Sequence, residues 1–84
     1  MSESTKVTGR QIAAARTLAG ISQADLAATA RISVPTLRRM EASDGFANGM
    51  TNNLLAVRQA LESAGVLFVA ENGEGPGVRM KKGA

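Results

Sequence analysis

The chain has 84 residues, a formal net charge of +3, and no cysteine, histidine, tryptophan or tyrosine. This composition excludes disulfide bonds, thiol chemistry, histidine general bases and the usual zinc ligand sets, so we expect no enzyme, cofactor or metal. The length fits one small domain for which oligomerisation commonly supplies further buried surface, and we therefore expect a dimer. No apolar run approaches the roughly 20 residues needed to cross a bilayer, which predicts a cytoplasmic protein.

Basic residues are unevenly distributed. Arginines outnumber acidic residues in the first half of the chain, where they are Arg10, Arg16, Arg31, Arg38 and Arg39. A second basic group, Arg79, Lys81 and Lys82, lies near the end of the sequence. The second group either steers the protein towards DNA or keeps a strand edge from aggregating. The overall balance is compatible with nucleic-acid binding but too small to demonstrate it.

Two helices are predicted after a polar, flexible tail over residues 1–7. The first begins near Thr8 and runs to Ala19, with Gly20 as its C-cap. Ser22 then opens a capping box in which its hydroxyl accepts from the Asp25 amide and the Asp25 carboxylate reaches back. The second helix has an inner face formed by Leu26, Ala27 and Ala30.

A third helix follows the turn at Arg31–Ile32. Ser33 is a good N-cap, and Pro35 falls in the first turn, where its missing amide hydrogen is not needed. Leu37 and Met40 point inward. The outward positions are Val34, Pro35, Arg38 and Arg39.

The rest of the chain is predicted to form a fourth helix and a β-hairpin. A loop over Ala42–Met50 leads to a helix that starts at Thr51 or Asn52 and ends at Gly65, with Leu54, Val57, Leu61 and Ala64 on one side. Two β-prone runs then flank a Gly/Pro-rich turn. Because an isolated hairpin is marginal in water, we expect one face to cover the first helix at Leu18 and the other to meet a second protomer. The predicted dimerisation residues are Val66, Leu67, Phe68, Val69, Val78 and Met80.

A set of residues at fixed spacing resembles the phage-repressor and Cro-like helix-turn-helix family, also called the XRE type. The set comprises Arg16, Gly20-Ile21-Ser22-Gln23, Leu26-Ala27, Ala30, Ile32-Ser33, Thr36-Leu37, Arg39 and Glu41. The resemblance runs from about Gln11 to Ala64. It implies a mainly α protein, with a compact four- to five-helix lambda-repressor-like domain over residues 8–64. Residues 65–84 lie outside the shared pattern, and from their own residue pattern we expect a C-terminal β-hairpin or strand extension for dimerisation.

The resemblance also implies which residues contact DNA. Gln23 matches a residue that grips a phosphate, and Arg39 matches one that reaches base edges, where a guanidinium can bond both O6 and N7 of guanine. Val34 and Pro35 offer apolar contact to a thymine methyl group. The complete predicted set is Gln23, Arg31, Ser33, Val34, Pro35, Thr36, Arg38, Arg39, Asn48 and Asn52.

Two further positions carry structural expectations. Family members commonly pair an arginine of the first helix with the glutamate that ends the recognition helix, which here implies an ion pair between Arg16 and Glu41. Relatives usually have glycine in the turn where this chain has Arg31. Glycine adopts positive φ freely and arginine does not. Either the turn differs, or Arg31 is retained for a phosphate contact.

We therefore expect a sequence-specific transcriptional regulator of bacterial or phage origin, located at the nucleoid. It would act as a repressor or autoregulator and bind an inverted repeat of double-stranded DNA as a homodimer. One alternative is an antitoxin whose C-terminal strands hold a toxin. Another is a protein-interaction module that does not bind DNA. The segment Gly73–Gly77 superficially suggests a phosphate cradle, but it is acidic and lacks the required lysine.

Overall fold

A computed structural model describes residues 6–83 and shows four helices followed by a two-stranded antiparallel sheet. The elements are α1 (Gly9–Ala19), α2 (Gln23–Ala30), α3 (Val34–Glu41), α4 (Thr51–Ser63), β1 (Val66–Val69) and β2 (Gly77–Met80). The predicted fold class, mainly α with a C-terminal hairpin, is confirmed. Helix α2 packs against α3 and α4, whereas α1 contacts α3, α4 and both strands.

The helix ends follow local capping chemistry. Ser22 accepts from the Asp25 amide at 3.0 Å. Among the described residues Asp25 makes no return bond, because its side chain is shorter than that of the usual glutamate. Thr8 and Gln11 form a complete capping box at the start of α1, which was not predicted from the sequence. Gly20 ends α1 with φ 73°, as its C-cap role requires.

The core is aliphatic and lies between the four helices and the inner face of the hairpin. Its largest fully buried side chains are Ile12, Leu26, Leu37, Met40, Leu61, Val7, Val57 and Val66. The flexible tail predicted over residues 1–7 was wrong for Val7, which is 1% exposed and accepts a hydrogen bond from the Ala47 amide. Residues 1–5 of that prediction lie outside the described residues. Ala64, placed on the inner side of α4, is exposed because it is the C-cap.

Gly9 allows α1 to start directly against the end of α3. A Cβ added at Gly9 would lie 2.5 Å from the Met40 carbonyl oxygen and 2.8 Å from that of Ser43. Backbone atoms cannot move aside as a flexible side chain can. The position therefore needs glycine for close packing of the two helices.

The hairpin forms within one chain. Its register pairs Val66 with Met80 and Phe68 with Val78, which places these four residues on the inner face, against the core. Val66 is fully buried in its own protomer, so the prediction that it contributes to a dimer surface was wrong. Leu18 remains 51% exposed, so the hairpin does not cover α1 there as expected. The outer face carries Leu67 and Val69 opposite Arg79 and Gly77.

Gln11 attaches α1 to the hairpin. Its side-chain amide nitrogen donates to the carbonyl oxygens of Val69 at 3.2 Å and Gly77 at 3.0 Å. Its amide oxygen accepts from the Thr8 backbone amide at 2.8 Å. Because Gln11 is only 5% exposed, these bonds satisfy a buried polar group and join both strands to the helix.

Candidate nucleic-acid interface

The turn between α2 and α3 keeps the left-handed conformation. Arg31 has φ 60° and ψ 44°, and within residues 6–83 it is the only non-glycine residue with positive φ. Its amide donates to Ala28 and the next amide, of Ile32, donates to Ala27. The first of the two expectations for this turn, a changed geometry, was therefore wrong. The chain instead tolerates a conformation that costs an L-residue about 1–2 kcal/mol.

Helix α3 presents a free edge to solvent, defined here by Pro35, Arg38 and Arg39. All three side chains are exposed, while Leu37 and Met40 on the opposite face are fully buried. Val34, predicted to face outward with them, is half-buried and packs against the core, because the first turn of α3 lies close to it. The free edge therefore contains one apolar residue and two arginines, whereas the sequence predicted two apolar residues and two arginines.

A bidentate ion pair joins α1 to the end of α3. Arg16 Nε donates to Glu41 Oε2 at 2.8 Å and Arg16 Nη2 donates to Glu41 Oε1 at 3.2 Å. Arg16 Nη1 also donates to the Ile21 carbonyl at 3.1 Å. The side chains are 20% and 8% exposed, respectively. This geometry matches the clamp that the resemblance implied and holds α3 at a fixed angle to α1.

Gln23 extends this ion pair towards the free edge. Its side-chain nitrogen donates to Glu41 Oε1 at 3.0 Å, and its oxygen accepts from Arg38 Nε at 3.5 Å. Both ends of the amide thus have protein partners, and one N–H remains for another acceptor. The resemblance anticipated Gln23 only as a phosphate contact. The structure adds a connection from the buried ion pair to an exposed arginine.

A second series of side-chain hydrogen bonds runs along α3. The Ser33 hydroxyl accepts from the Thr36 backbone amide at 3.2 Å, as its predicted N-cap role requires. The same hydroxyl donates to Thr36 Oγ1 at 2.8 Å. Arg39 Nη2 donates to that oxygen at 3.2 Å. Spacing of three residues on a helix makes all three contacts possible.

The start of α4 borders the same surface. Thr36 and Arg39 share a groove with Asn48, Gly49 and Asn53. Asp44 and Met50 also line it. Asn48 and Asn52, predicted to contact DNA, are both exposed. Asn53, which was not predicted from the sequence, also lines the groove, and its position in the first turn of α4 was a usable signal.

A buried serine holds this groove in place. Ser43, which is buried, donates its hydroxyl hydrogen to the Arg39 carbonyl oxygen at 3.0 Å and accepts from the Asn48 amide at 2.8 Å.

Helix α4 begins after Met50, its N-cap residue, and no side chain caps it. Its first backbone amides therefore lack the usual side-chain acceptor at the positive end of the helix dipole. This end of α4 is suited to an anionic oxygen supplied from outside.

Two other kinds of site are not found over residues 6–83. This part of the chain holds no group of three or more acidic, histidine or cysteine side chains arranged for a metal ion. None of its helices has the length and apolar character that spanning a membrane requires.

Comparison with known proteins finds a family that resembles the part of the chain containing α2 and α3. A helix-turn-helix family model matches residues 12–45, which extend from α1 to the loop after α3. This match is shorter than the resemblance inferred from the sequence, which also included α4. No curated protein sequence matches the chain significantly. Residues 12–45 are therefore similar to the helix-turn-helix of Cro- and repressor-like, XRE-type proteins, which are DNA-binding transcription regulators.

Proposed function

We propose that this protein is a sequence-specific repressor or autoregulator that binds an inverted repeat as a homodimer at the bacterial nucleoid. The observation that carries the proposal is the free edge of α3, where Arg38 and Arg39 are exposed on a helix whose other face is buried. A helix of this kind can enter the major groove while its buried face keeps it attached to the domain.

Arg39 is the proposed base reader. Its contact with Thr36 leaves the other N–H groups of the guanidinium available for O6 and N7 of a guanine. Arg38 lies about 100° further round the helix and bonds Gln23, which suits a contact with a flanking phosphate. Pro35 is the more accessible apolar contact for a thymine methyl group, because Val34 is partly buried against the core.

Phosphate contacts are proposed on both sides of α3. Arg31 projects from the turn before the helix, and its retained left-handed backbone supports a role that outweighs the strain. Asn48, Asn52 and the uncapped start of α4 lie on the other side. The remaining N–H of Gln23, at the positive end of α2, would add a further contact.

The proposed dimer surface is the outer face of the hairpin. Leu67 is 37% exposed there and Val69 is half-buried, whereas Phe68, Val78 and Met80 contact the core of their own chain. Leu67→Glu should shift the protein from dimer to monomer in analytical ultracentrifugation. Leu18→Glu is a matched control, since Leu18 is an exposed leucine on α1. An unchanged dimer in the Leu67 variant would remove this surface from the proposal.

Selection from a random DNA duplex pool tests the proposed function directly. At about 150 mM salt, where non-specific phosphate binding is weakened, the wild-type protein should enrich a two-fold symmetric site. Arg39→Ala should lose a guanine from that site, at a cost of about 1–3 kcal/mol in discrimination. Arg10→Ala, which changes an exposed arginine of α1, should select the same site as wild type. No enrichment would favour a protein-interaction module, and enrichment only with a bound partner would favour an antitoxin.

A further inference from the structure

The dipeptide Asn-Gly occurs twice in the chain, in two exposed segments with different hydrogen bonding. Asn48–Gly49 lies in the loop before α4, and Asn72–Gly73 lies in the turn of the hairpin. Asparagine is thermolabile because the backbone nitrogen of the next residue can attack its side-chain carbonyl carbon. Glycine has no side chain to obstruct this attack, so these two dipeptides are the most reactive asparagine positions of the chain.

The hairpin turn holds its glycine nitrogen in a hydrogen bond. The Gly73 amide donates to Glu71 Oε2 at 2.8 Å, and the Gly75 amide donates to the same oxygen at 3.2 Å. A carboxylate acceptor stabilises the protonated amide, whereas the attack requires the nitrogen to lose its proton. The structure of the turn therefore slows the reaction at Asn72.

The loop before α4 leaves the corresponding nitrogen available. Among residues 6–83, none accepts a hydrogen bond from the Gly49 amide, and the Asn48 side chain has no bonding partner there either. Both residues are exposed. Position 49 also requires glycine, because its φ is 153° and an added Cβ would lie 3.0 Å from Met40 Cε. The fold thus keeps a reactive Asn-Gly pair at this place.

We propose that Asn48 is a site of spontaneous deamidation. The Gly49 nitrogen loses its proton and forms a bond to Asn48 Cγ. The bond from Cγ to the side-chain nitrogen then breaks, and this nitrogen takes up a proton and leaves as ammonia. Water opens the resulting succinimide ring at either carbonyl, which gives aspartate or isoaspartate at position 48. Water is the only other reactant.

The product carboxylate lies on the surface proposed to face DNA, so its effect there rests on the proposed function. Asn48 and Gly49 line the same groove as Thr36 and Arg39. A negative charge in this groove repels phosphate and attracts the Arg39 guanidinium away from a base. Isoaspartate also adds a backbone carbon directly after the amide that Ser43 holds at 2.8 Å. Deamidation should therefore release the protein from its DNA site.

Peptide mass spectrometry of the full-length protein after incubation in mildly alkaline buffer tests the reaction. Trypsin places the two Asn-Gly pairs in separate peptides, residues 40–58 and 59–79. The first peptide should carry the mass increase of amide-to-acid conversion, located at Asn48 by fragmentation, well before the second peptide does. In denaturant both pairs should react at similar rates, because the hydrogen bonds to Glu71 are then lost. Equal rates in the folded protein, or no reaction at Asn48, would overturn the inference.

The effect on DNA is tested with product mimics on the duplex that wild-type protein selects. Asn48→Asp should weaken binding about tenfold, because one hydrogen bond is lost and one repelling charge is added. Asn72→Asp is the matched control. It makes the same change in net charge in the hairpin turn and should bind within about twofold of wild type at about 150 mM salt. Equal affinities of the two variants would overturn the effect on DNA.

A protected variant links the reaction to the loss of binding. Asn48→Gln lengthens the side chain and disfavours ring closure, so the incubated variant should keep its affinity while incubated wild-type protein loses affinity in step with its deamidated fraction. Loss of affinity at the same rate in both would contradict the link. Thermal unfolding of each variant verifies that the fold is retained. If wild-type protein selects no duplex, the proposed function fails, while the mass spectrum still decides whether Asn48 reacts.

Discussion

The junction of α1 with α3 and the free edge of α3 use the same kinds of side chain in opposite surroundings. Arg16 in the junction has a bidentate carboxylate partner and is 20% exposed. Arg39 on the free edge is exposed and bonds only a hydroxyl among the described residues. The bonding partner and the degree of burial, rather than the residue type, therefore separate an arginine that holds the fold from one that is available for DNA.

The largest effect should come from breaking the junction. Arg16→Met leaves Glu41, which is 8% exposed, without its cation, and should lower the free energy of unfolding by about 3–5 kcal/mol. Chemical denaturation measures this directly. DNA binding should decrease only as far as the fraction of folded protein decreases. A stable Arg16→Met protein that failed to bind DNA would mean that the junction is part of the interface.

Close packing at the same junction gives the next effect. Gly9→Ala places a methyl group 2.5 Å from the Met40 carbonyl oxygen and should cost about 2–3 kcal/mol. Thr17→Ala, a substitution on the exposed side of α1, is the control and should change stability little. Equal thermal unfolding of the two variants would contradict the close approach of α1 and α3.

A third prediction concerns the attachment of the hairpin. Gln11→Met fills a similar volume but leaves the Val69 and Gly77 carbonyls without their donor, and removes half of the capping box. The expected cost is about 2 kcal/mol. Hydrogen exchange should show faster opening of the hairpin than of α2. Uniform exchange throughout the protein would show that the hairpin does not open separately.

The smallest predicted effect has the opposite sign. Arg31→Gly relieves the left-handed strain and should stabilise the fold by about 1 kcal/mol. It should also weaken DNA binding. The slope of log affinity against log salt concentration should become less steep by about the amount expected for one lost phosphate contact. Denaturation and salt titration together provide the measurement. Stabilisation without any loss of affinity would mean that Arg31 has no phosphate contact.

Local features of the sequence predicted most of the fold. Hydrophobic spacing and capping residues gave the order of the helices, and the roles of Ser33 as N-cap and Gly20 as C-cap were right, because these depend on neighbours in the chain. Features that depend on tertiary packing were missed. Val7 is buried only because the loop before α4 folds back over it. The two hairpin contacts of Gln11 span 58 and 66 residues in the chain.

The candidate site divides in the same way. The resemblance named the pair Arg16 and Glu41 and the position of Arg39. The structure places the pair in contact and Arg39 on the free edge. The resemblance could not show that Gln23 bonds both Glu41 and Arg38, or that the Thr36 hydroxyl bonds both Ser33 and Arg39. These properties depend on side-chain orientations, which residue spacing does not specify. The predicted DNA contacts themselves remain predictions.

The most direct test of the central claim is a paired measurement on the Arg38→Ala/Arg39→Ala double variant. Because both side chains are exposed, its free energy of unfolding should stay within about 0.5 kcal/mol of wild type. Binding to the selected duplex should fall to the non-specific level at the same salt concentration. Unchanged affinity for that duplex would contradict the assignment of the free edge of α3 as the DNA-reading surface.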